Sequence, residues 1–322
     1  MVRDMLTLKD IEAASELVHA QLDRTPQICW PLLCERAGAD VWVKHENHTP
    51  ISAFKVRGGI VYMDELKKSD AHVAGVATAT RGNHGQSIAL AAKRAGLRAV
   101  IVVPHGNSPE KNTAMRAQGA ELIEYGNDFQ AAYEHVTALA GARNLHLIGP
   151  FEPALVKGVA SYCLEFLTAV PDLDTVYVPI GMGSGICAMI ATRDALGLGT
   201  KVVGVVAENA PAYALSFEKG DAVSTNSADT LADGVACRVP DKGALAIILK
   251  GAERVVQVSE DQIMAAMRHY YTDTHNLAEG AGAAALAALL SEREQMAGKR
   301  VGVVLTGGCV DAELFRKVLS GD

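Results

Sequence analysis

The chain has 322 residues, 49% hydrophobic and 5% aromatic, with a formal net charge of −7. That length can bury a sizeable core and suits two compact lobes. The negative balance argues against nucleic acid as a partner, and no apolar run reaches membrane-spanning length, which argues against a membrane.

In chain order, Met1–Met5 has no apolar leader segment and is expected to run into a helix with Thr7 and Asp10 at capping-box spacing. Short apolar runs predict strands at 41–44, 73–79, 99–103, 121–124, 175–179, 202–206, 254–258 and 301–305. Helical patterns fall between them, at 85–95, 109–118, 128–140, 184–196 and 261–271. Ser108 before Pro109 reads as an N-cap with proline in the first turn, and Ser259 with Gln262 as a second capping box. The alternation predicts an α/β fold of two interleaved lobes, with mainly parallel sheets flanked by helices. The six cysteines, Cys29, Cys34, Cys163, Cys187, Cys237 and Cys309, form no C-x-x-C pair and no cluster with histidine. Reduced thiols in a cytoplasmic protein, without a metal site, are therefore expected.

Four segments carry chemistry. Lys55, in Ser52-Ala53-Phe54-Lys55-Val56-Arg57-Gly58-Gly59, opens a predicted helix after an apolar step. An amine placed inward there loses its proton more readily and can act as a Schiff-base nucleophile. Gly181-Met182-Gly183-Ser184-Gly185 joins a strand to a helix, so backbone N–H groups and the helix dipole can hold a phosphate. The next strand leads to Glu208, the arrangement of a dinucleotide site, but Ile186 breaks the glycine fingerprint of that fold. Thr80-Arg81-Gly82-Asn83-His84-Gly85 can dock a carboxylate on its amides; Asn83 can bond a phenolate-like oxygen, and His84 is either a base or a packing residue. Thr306-Gly307-Gly308-Cys309 ends a strand; its hydroxyl can bond a heterocyclic nitrogen, and Cys309 reads as a small buried thiol.

With Lys44-His45-Glu46-Asn47 and Glu279-Gly280-Ala281-Gly282-Ala283, these segments in this order resemble the fold type II pyridoxal-phosphate enzymes, whose fold is tryptophan synthase beta-like. The similarity is strongest to their threonine/serine dehydratase and serine racemase branch. The resemblance implies that pyridoxal 5'-phosphate is joined to Lys55, which also moves the Cα proton. It implies that Gly181, Met182, Gly183, Ser184 and Gly185 hold the phosphate, that Phe54 packs beside the ring and that Asn83 bonds its oxygen. Thr306 then meets the ring nitrogen, and Glu279 lies in the cofactor site. Thr80, Arg81, Gly82, Asn83 and His84 form the substrate loop. The large cofactor-binding lobe would take residues 1–69 and 149–322, the small substrate-loop lobe 70–148, and the protein would be a homodimer.

Departures matter too. Arg81 stands where relatives carry serine or alanine, and an arginine cannot be the second-face base of a racemase. Ile51 and Ala53 replace threonine and serine, making the wall beside Lys55 more apolar. A racemase-type cation site lacks partners for Glu208, because positions 212 and 214 are alanine. The expected activity is a dehydratase (ammonia-lyase) of a β-hydroxy-α-amino acid resembling phenylserine, with threonine, serine or 3-hydroxyaspartate as alternatives. A nicotinamide-dependent oxidoreductase is the alternative of another class. For Arg81, stacking on a ring or contact with the cofactor phosphate is favoured over pairing with a second substrate carboxylate.

Overall fold

The computed structural model describes residues 6–321, so the expected lead-in Met1–Met5 lies outside the described residues. Ten strands follow in chain order: β1 (Gln27–Cys29), β2 (Asp40–His45), β3 (Gly75–Ala79), β4 (Arg98–Val103), β5 (Glu121–Glu124), β6 (His146–Leu147), β7 (Thr175–Pro179), β8 (Lys201–Ala207), β9 (Arg254–Val258) and β10 (Arg300–Leu305). They make a six-stranded sheet in the order β1-β2-β10-β7-β8-β9 and a four-stranded sheet in the order β5-β4-β3-β6. All pairings are parallel except β1 with β2. The small sheet thus draws its strands from one stretch of chain, and the large sheet from the stretches before and after it.

All eight predicted strands are present; the first of the small sheet starts at Gly75 rather than at position 73. The two unpredicted strands, β1 and β6, have three and two residues. Runs that short carry no readable alternation.

The expected caps form. Thr7 Oγ1 accepts from Asp10 N–H at 3.2 Å, and the Asp10 carboxylate accepts from Thr7 N–H at 3.0 Å. The reciprocal pair recurs between Ser259 and Gln262, and Ser108 Oγ accepts from Lys111 N–H at 3.1 Å ahead of Pro109. Each such cap stabilises a helix start by about 1 kcal/mol.

Parallel strands buried on both faces explain the near-continuous apolar runs. On β8, Val203 and Val205 pack on one side with the helix Gly280–Ser291, whose small residues let it lie close to the sheet. Val202 and Val206 pack on the other side with the helices Pro153–Ala169 and Ser184–Ala195. Each fully buried valine contributes roughly 1.5–3 kcal/mol.

The helix Lys55–Ser69 links the two sheets, packing on both Pro153–Ala169 and Asn83–Ala95. A Cβ at Gly59 would fall 2.4 Å from Ser87 Oγ, so glycine is what lets the Lys55 helix touch the helix that follows the Asn83 loop. Ser87 Oγ then donates to the Lys55 carbonyl at 2.6 Å.

Candidate active site

The loops after β3, β7 and β10 converge at the carboxyl ends of their strands, where ligands bind in open α/β sheets. The Lys55 segment, which follows β2, is stitched to the β10 loop. Phe54 N–H donates to the Thr306 carbonyl at 3.1 Å and Gly308 N–H to the Ser52 carbonyl at 2.9 Å. Glu279 N–H donates to the Gly307 carbonyl at 3.1 Å, which brings the start of the Gly280–Ser291 helix to the same place.

One cavity is lined by Phe54, Lys55, Asn83, Gly181–Gly185, Glu279 and Thr306. A second, which shares Lys55, Asn83, Gly181 and Met182 with it, is lined also by Thr80–His84, Lys111, Phe129, Pro150, Asp233 and Ala236. Every residue expected in the site therefore lines one cavity or the other. Glu208 lies exposed at the end of β8 and lines neither, so the dinucleotide reading loses its acidic partner.

Lys55 is the first residue of its helix. Burial pushes its amine below the usual lysine range; Glu279 opposes the shift, and Lys111 adds to it. Asn83 Nδ2 donates to Glu279 Oε1 at 2.5 Å, while its Oδ1 is buried without a partner. The helix Ser184–Ala195 starts after Gly183, at φ +102°, and no side chain caps it. Its first N–H groups therefore have no intrahelical acceptor and suit an anion. An amine with a lowered pKa, the second Nδ2–H of Asn83 beyond the one given to Glu279, and an uncapped helix start fit pyridoxal 5'-phosphate. Phe54 stands edge-on to Tyr162, with ring centroids 6.0 Å apart, on the cavity wall.

In the loop after β3, Thr80 Oγ1 accepts from Gly82 N–H at 2.9 Å and Gly85 N–H at 3.3 Å, shaping the loop itself. His84 is buried, its Nε2 has no partner, and burial followed by the nearby Lys55 charge lowers its pKa to about 3. A histidine with so low a pKa is a weak proton acceptor at neutral pH, which suits packing better than acid–base work. Cys309 is half-buried rather than fully buried; it donates to the Ile51 carbonyl at 3.2 Å, and burial, then Glu279, raises its thiol to about 11.

Arg81 is exposed at the start of its loop and pairs with an anion of the protein itself, Nη2 lying 3.2 Å from Oδ1 of Asp233. Neither Asp233 nor Lys111 was singled out in the sequence. Lys111 Nζ lies 3.3 Å from Asp233 Oδ2 and 3.4 Å from Glu279 Oε2. Burial disfavours its charge, but Glu279 and Asp233 outweigh that and hold the amine above its usual range. One signal was available: Lys111 is the third residue of the helix Pro109–Ala117, where the dipole disfavours a cation without a nearby anion.

Comparison with known proteins agrees with this geometry. The family described as pyridoxal-phosphate-dependent enzyme matches residues 19–307. The L-threonine ammonia-lyase of Thermotoga maritima is 32% identical over 317 residues, covering 98% of this chain and 79% of that protein. The L-threo-3-hydroxyaspartate ammonia-lyase of Saccharomyces cerevisiae is 29% identical over 316 residues, covering 98% and 97%. The solved structure of the processed form of threonine deaminase isoform 2 from Solanum lycopersicum superposes with a TM-score of 0.90 at 30% identity, covering 97% of this chain and 91% of that one. With the Lys55, Gly181–Gly185 and Thr306 loops assembled as its fold requires, the chain belongs to the fold type II pyridoxal-phosphate-dependent enzymes, in their threonine/serine dehydratase branch, and is a carbon–nitrogen lyase.

Proposed function

We propose that the protein converts a β-hydroxy-α-amino acid into a 2-oxo acid and ammonia by α,β-elimination. The observation that carries this reading is the single cavity shared by Lys55, Asn83, the uncapped Gly181–Gly185 turn and Thr306. Lys55 would hold the cofactor covalently, Asn83 would bond its phenolate oxygen and Thr306 its ring nitrogen. The amides from Gly181 to Gly185, Met182 and Ser184 included, would take its phosphate. Phe54 would pack beside the ring. When bound, pyridoxal phosphate supplies the electron sink that labilises the Cα–H bond.

In this reading Lys55 Nζ takes the α-proton, and the β-hydroxyl departs as water once protonated. The resulting enamine becomes an imine that water hydrolyses to the 2-oxo acid and ammonia. A hydroxyl at Thr306, unlike a carboxylate, does not protonate the ring nitrogen, which favours prompt loss of a β-leaving group over a long-lived carbanion. The amides of Asn83 and His84, held in place by the Thr80–Gly82 turn, would receive the substrate carboxylate.

For the substrate side chain, an aryl group as in phenylserine is supported by the apolar lining from Phe129, Pro150, Met182 and Ala236. Threonine, serine or 3-hydroxyaspartate is the second reading, supported by the activities named for the Thermotoga and yeast relatives. Residues 70–148 would form the small lobe against a large lobe of 1–69 and 149–322, and the working form would be a cytoplasmic homodimer. Light scattering of pure protein measures the assembly.

Turnover of phenylserine, threonine, serine and 3-hydroxyaspartate, with detection of the keto acid, tests the reaction and ranks the side chains. Lys55→Ala is expected to lose both the visible absorbance of the lysine-bound cofactor and several orders of magnitude in rate. A variant that kept near-normal 2-oxo acid production would refute the role of Lys55.

A further inference from the structure

Asp233 stands between two cations that enter the second cavity from the other side of the cleft. Arg81 comes from the loop after β3 and Lys111 from the helix Pro109–Ala117; Asp233 begins a short 3-10 turn of the other lobe. Arg81 Nη2 lies 3.2 Å from Oδ1 of Asp233, and Lys111 Nζ lies 3.3 Å from Oδ2, so each carboxylate oxygen has its own cation. The second carboxylate on Lys111 is Glu279, at 3.4 Å. Two cations thus face two carboxylates, and the set is neutral. Among the described residues, Asp233 is the only acidic side chain lining the second cavity, which it shares with Lys55, Arg81 and Lys111.

Arg81 and Lys111 are the groups near Lys55 that a second substrate carboxylate would seek, since guanidinium and ammonium groups give short charge-assisted bonds to carboxylates. Both already hold Asp233. An acidic side chain entering the cavity would meet paired cations and a like charge, and discrimination of this kind rests on repulsion as much as on attraction. An uncharged side chain meets no such opposition and has Phe129, Pro150 and Met182 to pack on.

We propose that Asp233, bracketed by Arg81 and Lys111, is a specificity-determining residue that turns acidic substrates away from the site. This deepens the dehydratase reading and rests on its assumption that the substrate occupies the cavity above Lys55. Removing the Asp233 charge without changing its size leaves one surplus cation, and the site then accepts a second carboxylate.

The test uses holoenzyme and two small probes, malonate and acetate, titrated calorimetrically into wild type and Asp233→Asn. Malonate is expected to bind the variant about tenfold more tightly, with acetate changed much less, a ratio equal to about 1.4 kcal/mol. The ratio of kcat/KM for 3-hydroxyaspartate over threonine is expected to rise by a similar factor. Malonate affinity that is unchanged or weaker in Asp233→Asn overturns the proposal, because it would mean that Asp233 positions Arg81 for an acidic substrate. Should that variant not retain the cofactor, Asp233→Ser carries the test: malonate must tighten more than acetate, and equal or opposite effects overturn the proposal. Absence of turnover on all four amino acids in wild type would sink the dehydratase reading alone, since the malonate titration needs no turnover.

Discussion

Arg57 and Glu46 form a two-point ion pair, Nε to Oε2 at 2.7 Å and Nη2 to Oε1 at 3.0 Å, with neither side chain exposed to solvent. Arg57 lies one residue beyond Val56 from Lys55, on the first turn of the same helix, and Glu46 directly follows β2. The pair therefore ties the start of the Lys55 helix to the large sheet. Glu165 completes the cluster, accepting from Arg57 and from the buried Lys44. Burial opposes the charge on Glu165, but Arg57 and then Lys44 outweigh it and hold its pKa at about 2.

Arg57→Met is expected to destabilise the fold by about 3–5 kcal/mol, because it leaves Glu46 and Glu165 buried with too little positive charge. Chemical denaturation at neutral pH measures the loss. The native cluster also fixes a pH dependence. A carboxyl lowered from 4.5 to about 2 contributes stability that is full above 4.5 and is lost as pH falls from there toward 2. The acid-side slope should flatten in Arg57→Met; an unchanged slope would remove Glu165 as its source.

The reactivity of Lys55 should follow its two charged neighbours. Glu279 raises its pKa and Lys111 lowers it, against the larger lowering by burial. Glu279→Gln is expected to move the midpoint of amine reactivity to lower pH, and Lys111→Met to higher pH. Reductive methylation of the apoprotein, followed at Lys55 by mass spectrometry across pH, gives the order; a reversed order would contradict the Coulombic account.

His84 should leave no mark on the pH–rate profile. With its pKa lowered to about 3, it is neutral throughout the range in which an ordinary histidine titrates. His84→Asn is expected to keep the shape of the kcat profile between about pH 5 and 8, whatever it does to the maximum. The same residue predicts a stability effect with a definite sign. A histidine whose folded pKa is depressed leaves stability intact above 6.5 and erodes it as pH drops toward 3. Loss of an acid limb in the rate profile of the variant would restore His84 as a base.

Gly183→Ala tests the phosphate turn. Gly183 has φ +102°, and an added Cβ would fall 2.8 Å from the Ala244 methyl. The expected cost is about 1–2 kcal/mol for the backbone alone, with weaker uptake of pyridoxal phosphate as the turn shifts. Gly197→Ala is the comparison, since Gly197 has φ +65° and nothing within 4 Å of its added Cβ. Equal cofactor affinity in the two variants would place the phosphate elsewhere.

By itself the sequence determined the eight longer strands and their alternation with helices, because burial of parallel strands on both faces leaves apolar runs between helical periods. It also picked out the loops that meet at the cavity, since Lys55, the Gly181–Gly185 turn, Asn83 and Thr306 stand out by residue type at strand ends. Capping boxes at Thr7 and Ser259 were legible for the same reason: their partners lie three residues away. Only the tertiary structure decided which charges meet. Asp233 is 122 positions from Lys111, and Glu279 is 196 from Asn83. Local periodicity places each side chain on its own element, but a long-range ion pair depends on how two lobes close on each other, and that closure is set by packing distributed over the whole chain. Arg81 therefore looked like a free cation at a helix start until the fold brought Asp233 to it.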